Sequence, residues 1–310
     1  MVDLALGGTD TGRHVADGRA KALSRFTLSD HVFRLLTQGS ALAVLLIMGG
    51  VIVSLIVGSL QTWHELGFSF LTGQSWNPPL DKFGAAPSIY GTVVTSVIAM
   101  VIAVPVGIGV AIFLTELCPA PLRRPIGIAI ELLAGIPSII YGMWGFFVLN
   151  PFLQSVLGSG LSLFTAGIVL AIMVLPFITS ITRDVFDTVP PMLKESAYGL
   201  GCTRWEVIKN IVIPFTRVGI IGGVMLALGR ALGETMAVTF VVGNANRISG
   251  SLLAPGTTIS ATIANQFGEA DPGLYTSALI SLGLLLFLVT FLVLAAARLM
   301  LMRLERKAGG

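Results

Sequence analysis

A single long polar segment interrupts this apolar chain. Residues 187–217 read DTVPPMLKESAYGLGCTRWEVIKNIVIPFTR. Gly199 and Gly201 fall in the middle of it, where glycine can adopt the positive φ angles that end a helix. Thr203 is followed three residues later by Glu206, which is the T-x-x-E pattern of a capping box at a helix N-terminus. The polar segment therefore predicts two short helices that are separated by a glycine turn.

The ends of these two helices are predicted from the prolines. Thr188 is the expected N-cap of the first helix, because Pro190 and Pro191 suit a first helical turn, where a missing N–H costs nothing. The second helix is expected to stop before Pro214, since the residue that precedes a proline disfavours the helical conformation.

The composition indicates an integral membrane protein. Of the 310 residues, 54% are hydrophobic and 11% are charged, whereas about 25% of the residues in a soluble domain are charged. The mean hydropathy of +0.89 agrees with this reading. A helix of roughly twenty apolar residues crosses a hydrocarbon core of about 30 Å and satisfies its own backbone polar groups. The six predicted spans are Ala41–Leu60, Thr92–Leu114, Ile126–Leu149, Leu161–Ile181, Val218–Val242 and Leu274–Leu301.

The positions of the basic residues predict the orientation in the membrane. Of the 19 Lys and Arg residues, sixteen lie in the N-terminal tail, the second loop, the fourth loop or the C-terminal end. By the positive-inside rule, both termini and the polar segment are expected in the cytoplasm. The predicted organisation is a cytoplasmic N-terminal tail with an interfacial helix (1–40), a transmembrane domain (41–302) and a cytoplasmic C-terminal tail (303–310).

Ionisable residues inside the membrane are costly, so each is a candidate functional residue. Arg230 and Glu234 lie four residues apart in the fifth predicted span, and we expect them to share a helix face and neutralise each other. One interpretation is an intrahelical salt bridge beside a glycine packing seam. The other is an anion pathway, because a planar guanidinium suits an oxyanion and because an acid after its base is the weaker order for stabilising a helix. Glu131, close to Gly135 and Pro137, is either a pathway residue or a buried acid paired with loop arginines.

The polar segment resembles the EAA motif of ATP-binding-cassette (ABC) importer permeases, which reads E-A-A, three residues, G, nine residues, I-x-L-P. Ser196 replaces an alanine and Ile213 replaces the leucine, and both departures are mild. The resemblance implies an all-α integral membrane protein with six transmembrane helices and the type I ABC importer permease architecture. It also implies that residues 187–217 form a coupling loop that sits in a groove of a separate ATPase subunit. The matching positions are Glu195, Ser196, Ala197, Gly201, Ile211 and Pro214.

Two further stretches resemble the phosphate-specific ABC importer permeases. They read LAGIPSIIYG at residues 133–142 and GRALGETMA at residues 229–237, and the resemblance covers nearly all of the chain after residue 30. The N-terminal part and the first outer loop resemble the PstC-type subunit of that family more than its PstA-type subunit. The resemblance implies a permease subunit of the bacterial plasma (inner) membrane that forms half of a phosphate pathway by alternating access. It implies a role in phosphate passage for Arg230 and Glu234.

The same resemblance implies the partners. They are a homologous PstA-type permease, two PstB-type ATPase subunits on the inside, a PstS-type phosphate-binding protein on the outside, and the membrane lipid. ATP and Mg²⁺ are expected only through the ATPase, because residues 7–12 have half of a Walker A spacing without its Lys or Ser/Thr, and no P-loop occurs elsewhere. We expect no cofactor on this chain. We expect no nucleic acid either, since its basic residues lie in tails and loops between apolar runs.

Other functions remain open at this stage. An ABC importer for another oxyanion, such as sulfate, molybdate or phosphonate, would carry the same coupling loop. A proton-coupled secondary transporter would use Glu131 and Glu234 as proton relays and would need no ATPase. A membrane scaffold gives no reason for ionisable residues inside a span. An enzyme is not indicated, because the sequence has no nucleophile–base set, and its two cysteines and three histidines lack the spacing of metal ligands.

Overall fold

The computed structural model describes the backbone of residues 10–308 and the side chains of residues 30–299, 301 and 302. Regular structure in this part of the chain is helical. The helices of the first half are α1 (Asp10–Glu65), α2 (Ser69–Thr72), α3 (Ala86–Ile112), α4 (Ala120–Ala134), α5 (Ser138–Trp144) and α6 (Asn150–Leu157). Those of the second half are α7 (Leu163–Phe186), α8 (Pro191–Gly199), α9 (Arg204–Val207), α10 (Ile213–Leu232), α11 (Met236–Val241), α12 (Ile259–Gln266) and α13 (Leu274–Ala308). Short π-helical segments extend α3, α5 and α9 at Phe113–Leu117, Gly145–Leu149 and Ile208–Val212.

Among the described residues, six helical stretches are long and apolar enough to cross a membrane, as predicted. Their bounds all differ from the predicted ones by at least two residues at one end, and two of the differences follow from a break in the helix. The third begins at Ser138 because Pro137, which lacks an N–H, separates it from α4. The fifth ends at Leu232, ten residues before the predicted end, because the chain leaves the helix at Gly233. The six stretches are Asp30–Glu65, Ala86–Leu117, Ser138–Leu157, Leu163–Phe186, Arg204–Leu232 and Leu274–Leu299.

The chain divides into two units, Met1–Ser54 and Leu55–Gly310. The described part of the first unit is a single helix, so the structure has no helix boundary at residue 40, where the predicted tail with its interfacial helix meets the transmembrane domain. The predicted tail falls partly on residues 1–9, which lie outside the described residues. Most large apolar side chains from Val32 to Val53 are exposed, as expected for a surface that meets lipid.

The second unit is organised around α7, the most buried of the six spans. Helices α3 and α10 both pack on it closely, because glycines face the branched side chains of α7. A Cβ atom at Gly107 of α3 would lie 2.9 Å from Ile178, and one at Gly223 of α10 would lie 2.8 Å from Ile181. Small residues let helices approach in this way, so α3, α7 and α10 form one interlocked layer.

The segment that joins α1 to α3 is packed against the end of the chain. Phe70 and Phe83 are buried, and Phe83 stacks on Tyr275 with 5.3 Å between the ring centroids. The Trp76 indole N–H and the Tyr275 hydroxyl both donate hydrogen bonds to the side-chain oxygen of Gln266 in α12. The aromatic residues of this segment therefore build a core with α12 and α13. At the other end of the sequence, α13 runs on to Ala308, past the boundary predicted at residue 302.

Candidate functional site

The polar segment folds as two helices and a glycine turn, which confirms the prediction. Helix α8 ends at Gly199, and Gly201 takes a φ angle of +87°, which side chains other than hydrogen strongly disfavour. The predicted capping box is also present at the start of α9. The Thr203 hydroxyl accepts from the backbone N–H of Glu206, and the Thr203 backbone N–H donates to Glu206 Oε2 at 2.7 Å. These bonds fix the direction in which the chain leaves the turn.

Both predicted helix ends differ in the structure. The N-cap of α8 is Pro190, because the Thr188 hydroxyl donates to the carbonyl of Val185 at the end of α7. The predicted stop before Pro214 is wrong, since α9 continues through the π-helical segment Ile208–Val212 into α10. A proline inside an α-helix clashes with the carbonyl four residues earlier, and a π-helical turn widens the helix at that place. The polar segment is thereby joined rigidly to the fifth span.

The motif residues of the polar segment divide into an anchoring set and an outward set. Ala197 is buried, and Ile211 packs against the same apolar cluster. Glu195, Ser196 and Pro214 are exposed. The buried members of this cluster come from α3, the end of α7, α8, α9 and α10, and they are Ala111, Phe186, Val189, Ala197, Val207, Val212 and Ile220.

The outward side of the polar segment carries large apolar side chains. Leu200 in the glycine turn is 86% exposed, Met192 is 73% exposed and Trp205 is 62% exposed. Three exposed apolar side chains next to charged ones are typical of a protein interaction site, because water is a poor environment for them. Met192 and Leu200 lie between the fourth and fifth spans, and Trp205 lies in the first turn of the fifth.

The predicted third and fifth spans are both interrupted, and the helices that follow the two breaks pack against each other. The third is broken between Ala134 and Ser138, and the fifth between Leu232 and Met236. The helices that follow the two breaks, α5 and α11, are in close contact, since a Cβ atom at Gly142 would lie 3.0 Å from the Cα atom of Ala237. Backbone breaks in membrane helices occur where they face protein or a cavity, and paired breaks mark binding regions in many transporters.

Arg230 and Glu234 fall on either side of the break in the fifth span. The predicted ion pair between them is wrong, because α10 ends at Leu232 and the two residues no longer share a helix face. None of the salt bridges in the described part of the chain involves either residue. The Arg230 guanidinium lies over the ring of Phe177 instead, with 4.7 Å between its central carbon and the ring centroid. Glu234 Oε1 accepts a 3.3 Å hydrogen bond from the backbone N–H of Ala237 in the first turn of α11.

Glu131 has an arginine partner, as one of its two interpretations predicts. Its Oε1 atom lies 2.7 Å from Nη2 of Arg183, which lies in the last turn of α7 and also contacts Asp184. The Glu131 side chain is 50% exposed, so this ion pair is not a buried one. The described ion-pair partner of Glu131 is therefore Arg183.

Two contacts of this region are missing from the sequence interpretation. Phe177 carries no sequence signal that distinguishes it from other apolar residues of its span. The Nζ atom of Lys194 lies 2.6 Å from Oε1 of Glu116, which joins α8 to the end of α3. A signal for Glu116 existed, since it is an acid at the end of an apolar span. The described residues contain no group of three His, Cys, Asp or Glu side chains that is able to hold a metal ion.

The family model for the inner membrane components of binding-protein-dependent transport systems matches residues 103–306, which include both helix breaks and the whole polar segment. The chain belongs to this family of transport components. It is 61% identical to a phosphate transport system permease protein PstC of Mesorhizobium japonicum, over 95% of this chain and 97% of the relative. It is 53% identical to the protein of the same name from Xylella fastidiosa, over 97% and 96%, and 38% identical to a PstC 2 of Mycobacterium tuberculosis, over 87% and 90%.

Solved structures of ABC transporters share the fold. A bacterial alginate ABC transporter in complex with its periplasmic protein matches with a TM-score of 0.64 and 17% identity, over 92% of this chain and 97% of the solved one. The MetNI methionine ABC transporter in an inward-facing conformation matches with a TM-score of 0.53 and 18% identity, over 71% and 94%. The predicted all-α, type I ABC importer permease architecture is therefore confirmed.

Family membership establishes the general role of the chain. It is a multi-pass inner membrane protein and a permease subunit of an ABC importer, not an enzyme. A member of this family works together with a separate ATPase and an external binding protein.

Proposed function

We propose that this chain is the PstC-type permease subunit of an ATP-driven phosphate importer. The observation that carries the proposal is the 61% identity, over nearly the full length of both proteins, to a relative that is named as a phosphate transport permease. In this proposal the chain forms one half of the phosphate pathway, and a homologous PstA-type permease forms the other half. Two PstB-type ATPase subunits bind ATP and Mg²⁺, and a PstS-type protein delivers phosphate from outside.

The polar segment is the coupling loop of this assembly and faces the cytoplasm, as do both termini. Its outward apolar side chains, Met192, Leu200 and Trp205, fill the groove of an ATPase subunit, while Ala197 holds α8 on the apolar cluster. Basic residues on this side of the membrane support the orientation. The continuous helix from Arg204 to Leu232 turns a displacement of the segment into a displacement of the fifth span. The bundle thereby alternates between outward and inward access as ATP is bound and hydrolysed.

Phosphate passes beside the paired helix breaks. An anion in an apolar conduit needs a compensating cation, and Arg230 supplies one whose fork-shaped donors suit phosphate oxygens. Phe177 holds the guanidinium through its ring face, which stabilises the cation without neutralising it. Glu234 caps α11 and keeps a negative charge near the path, so that phosphate is bound weakly enough to leave. Glu131, which is paired with Arg183, contributes to the position of α4 rather than to phosphate binding.

Uptake of radiolabelled phosphate by cells that lack other phosphate importers tests this role of Arg230. Arg230→Gln removes the charge with little change in volume, and we expect uptake to fall to background while the protein level and the co-purified partners stay normal. A matched control is Arg124→Gln, an exposed arginine of α4 that makes no salt bridge among the described residues. Unimpaired uptake with Arg230→Gln would refute the pathway assignment.

Competing anions and the energy source of uptake distinguish the proposed function from the other two classes of transporter. Excess sulfate, molybdate or phosphonate is expected to leave phosphate uptake unchanged, and strong inhibition by one of them would assign the chain to that anion instead. Uncouplers are expected to act only as far as they lower cellular ATP. Uptake by purified protein that follows a proton gradient without ATP would identify a secondary transporter.

A further inference from the structure

Helix α8 is attached to the rest of the chain by few side chains. Of its nine residues, Ala197 is buried and Lys194 is partly buried, whereas the other seven are exposed. The two inward residues are three positions apart, so they lie on one face of the helix. Ala197 offers only a methyl group to the apolar cluster. The side-chain attachment of α8 therefore rests on one small apolar contact and on whatever Lys194 binds.

Lys194 binds an almost fully buried carboxylate. The distance from its Nζ atom to Oε1 of Glu116 is 2.6 Å, and the Glu116 side chain is only 9% exposed. Glu116 belongs to the π-helical segment Phe113–Leu117, which extends α3. A carboxylate in such a place is costly without a partner, and among the described residues its ion-pair partner is Lys194. The ion pair thus joins α8 directly to the end of a membrane span.

The span that receives this contact is central to the bundle. Helix α3 packs along α7 through Gly107 and Gly167, whose missing side chains let Ile178 and Ile98 fill the interface. A displacement of the end of α3 is therefore passed on to α7 instead of being lost in a loose contact. The polar segment reaches the bundle by two routes, one through the continuous helix α9–α10 and one through the ion pair to α3.

The two side-chain contacts of α8, made by Ala197 and Lys194, respond differently to a mechanical force on the helix. The methyl group of Ala197 resists compression against the cluster, but dispersion between so few atoms resists separation only weakly. A charge-assisted hydrogen bond at 2.6 Å between partly desolvated groups resists separation. When a partner pushes α8 inward, either contact transmits the movement. When a partner pulls α8 outward, the ion pair is the direct side-chain contact that resists the separation of α8 from the end of α3.

We propose that the Lys194–Glu116 ion pair is a positioning contact that transmits the outward movement of α8 to α3 and so couples ATP hydrolysis to opening of the pathway. This proposal rests on the coupling role of the polar segment that is proposed above. Neither residue contacts phosphate or ATP in this account. Their loss is expected to leave hydrolysis running while less phosphate is moved for each ATP consumed.

The test uses the complete transporter, co-purified with its partners and reconstituted in proteoliposomes with phosphate-loaded binding protein. Phosphate uptake and ATP hydrolysis are measured on the same sample, and their ratio is the readout. We expect Lys194→Gln and Glu116→Gln each to lower this ratio by about tenfold, which corresponds to the loss of one charge-assisted hydrogen bond. Lys194→Arg keeps the charge and is expected to retain most of the ratio, and Arg124→Gln serves as the control for loss of a basic residue.

The exchange Lys194→Glu with Glu116→Lys separates the ion pair from other effects of the two side chains. We expect the double variant to recover a clear part of the ratio that either single charge reversal loses. A normal ratio with Lys194→Gln would overturn the proposal. A loss that neither Lys194→Arg nor the exchange relieves would overturn it as well, since the effect would then not depend on the ion pair. If the purified wild-type protein brings no ATPase with it, the proposed function fails. If the wild type is driven by ATP and Lys194→Gln has the same ratio of uptake to hydrolysis, only the ion-pair proposal fails.

Discussion

The glycine turn of the polar segment offers the sharpest test of its conformation. Gly201 has a φ angle of +87°, and a Cβ atom added there would meet no heavy atom within 4 Å. Replacement by alanine therefore introduces backbone strain and no clash. Gly199, two residues earlier, also has open space around it, but it lies in the last position of α8 without a positive φ. The two substitutions add the same methyl group to one turn and differ only in the backbone angle.

The two substitutions are expected to change the stability of the turn in opposite directions. An L-residue in the left-handed region costs about 1–2 kcal/mol relative to glycine, so Gly201→Ala lowers the population of the observed turn by roughly five- to thirtyfold against other conformations. Alanine at Gly199 favours the helix by up to about 1 kcal/mol, because glycine is a poor helix former. If the turn must have the observed shape to present Leu200 to the ATPase, the apparent affinity for the ATPase falls by up to the same factor, and it falls in Gly201→Ala alone.

Titration of purified permease with labelled ATPase subunit, in detergent or nanodiscs, measures this affinity. We expect a dissociation constant that is about tenfold higher for Gly201→Ala and unchanged or lower for Gly199→Ala. Phosphate uptake in cells should follow the same order. Equal affinities for the two variants would show that the positive φ angle of the turn is not needed for docking, and would refute this reasoning.

Three further substitutions test other parts of the structure. Gly91→Ala would place a Cβ atom 1.8 Å from a backbone carbonyl oxygen of the loop before α12. We therefore expect this variant to have a lower thermal unfolding midpoint in detergent. Gly109→Ala in the same helix has open space around the new methyl group and should leave the midpoint unchanged. Thr203→Ala removes the capping box and destabilises the start of α9 by about 1 kcal/mol. The backbone amides of α9 should therefore exchange about fivefold faster with deuterium. Unchanged exchange would contradict the capping role of Thr203. Phe177→Leu removes the ring beneath Arg230, which we expect to raise the KM for phosphate more than it lowers the maximal rate, while Phe177→Tyr should behave like the wild type.

The general architecture could be predicted because it depends on local and compositional signals. The number of spans follows from hydrophobic length, and the part of the chain that the structure describes contains the six that were predicted. The glycine turn and the capping box each depend on residues within four positions of one another, so the sequence alone contains the whole interaction. Prolines were less informative, because a helix continues through Pro214 after a π-helical turn, whereas Pro137 is the N-cap of a new helix.

The candidate site could be predicted only in part, because its contacts join distant parts of the chain. Spacing places Arg230 and Glu234 on one face, but this holds only for an unbroken helix, and α10 ends between them. The true neighbour of Arg230 is Phe177, which lies on another helix and looks like any apolar residue of a span. The partner of Lys194 is Glu116, 78 residues earlier in the chain. Contacts of this kind follow from how helices pack, which the sequence pattern does not encode residue by residue.

In the proposed function, a separate ATPase drives phosphate through this chain by acting on the polar segment. Phosphate uptake into proteoliposomes that contain the co-purified complex measures this, with ATP supplied to the side that bears residues 187–217. We expect uptake that needs both hydrolysable ATP on that side and phosphate-loaded binding protein on the other. Uptake that proceeds without ATP, or a purified chain that brings no ATPase with it, would rule out this function.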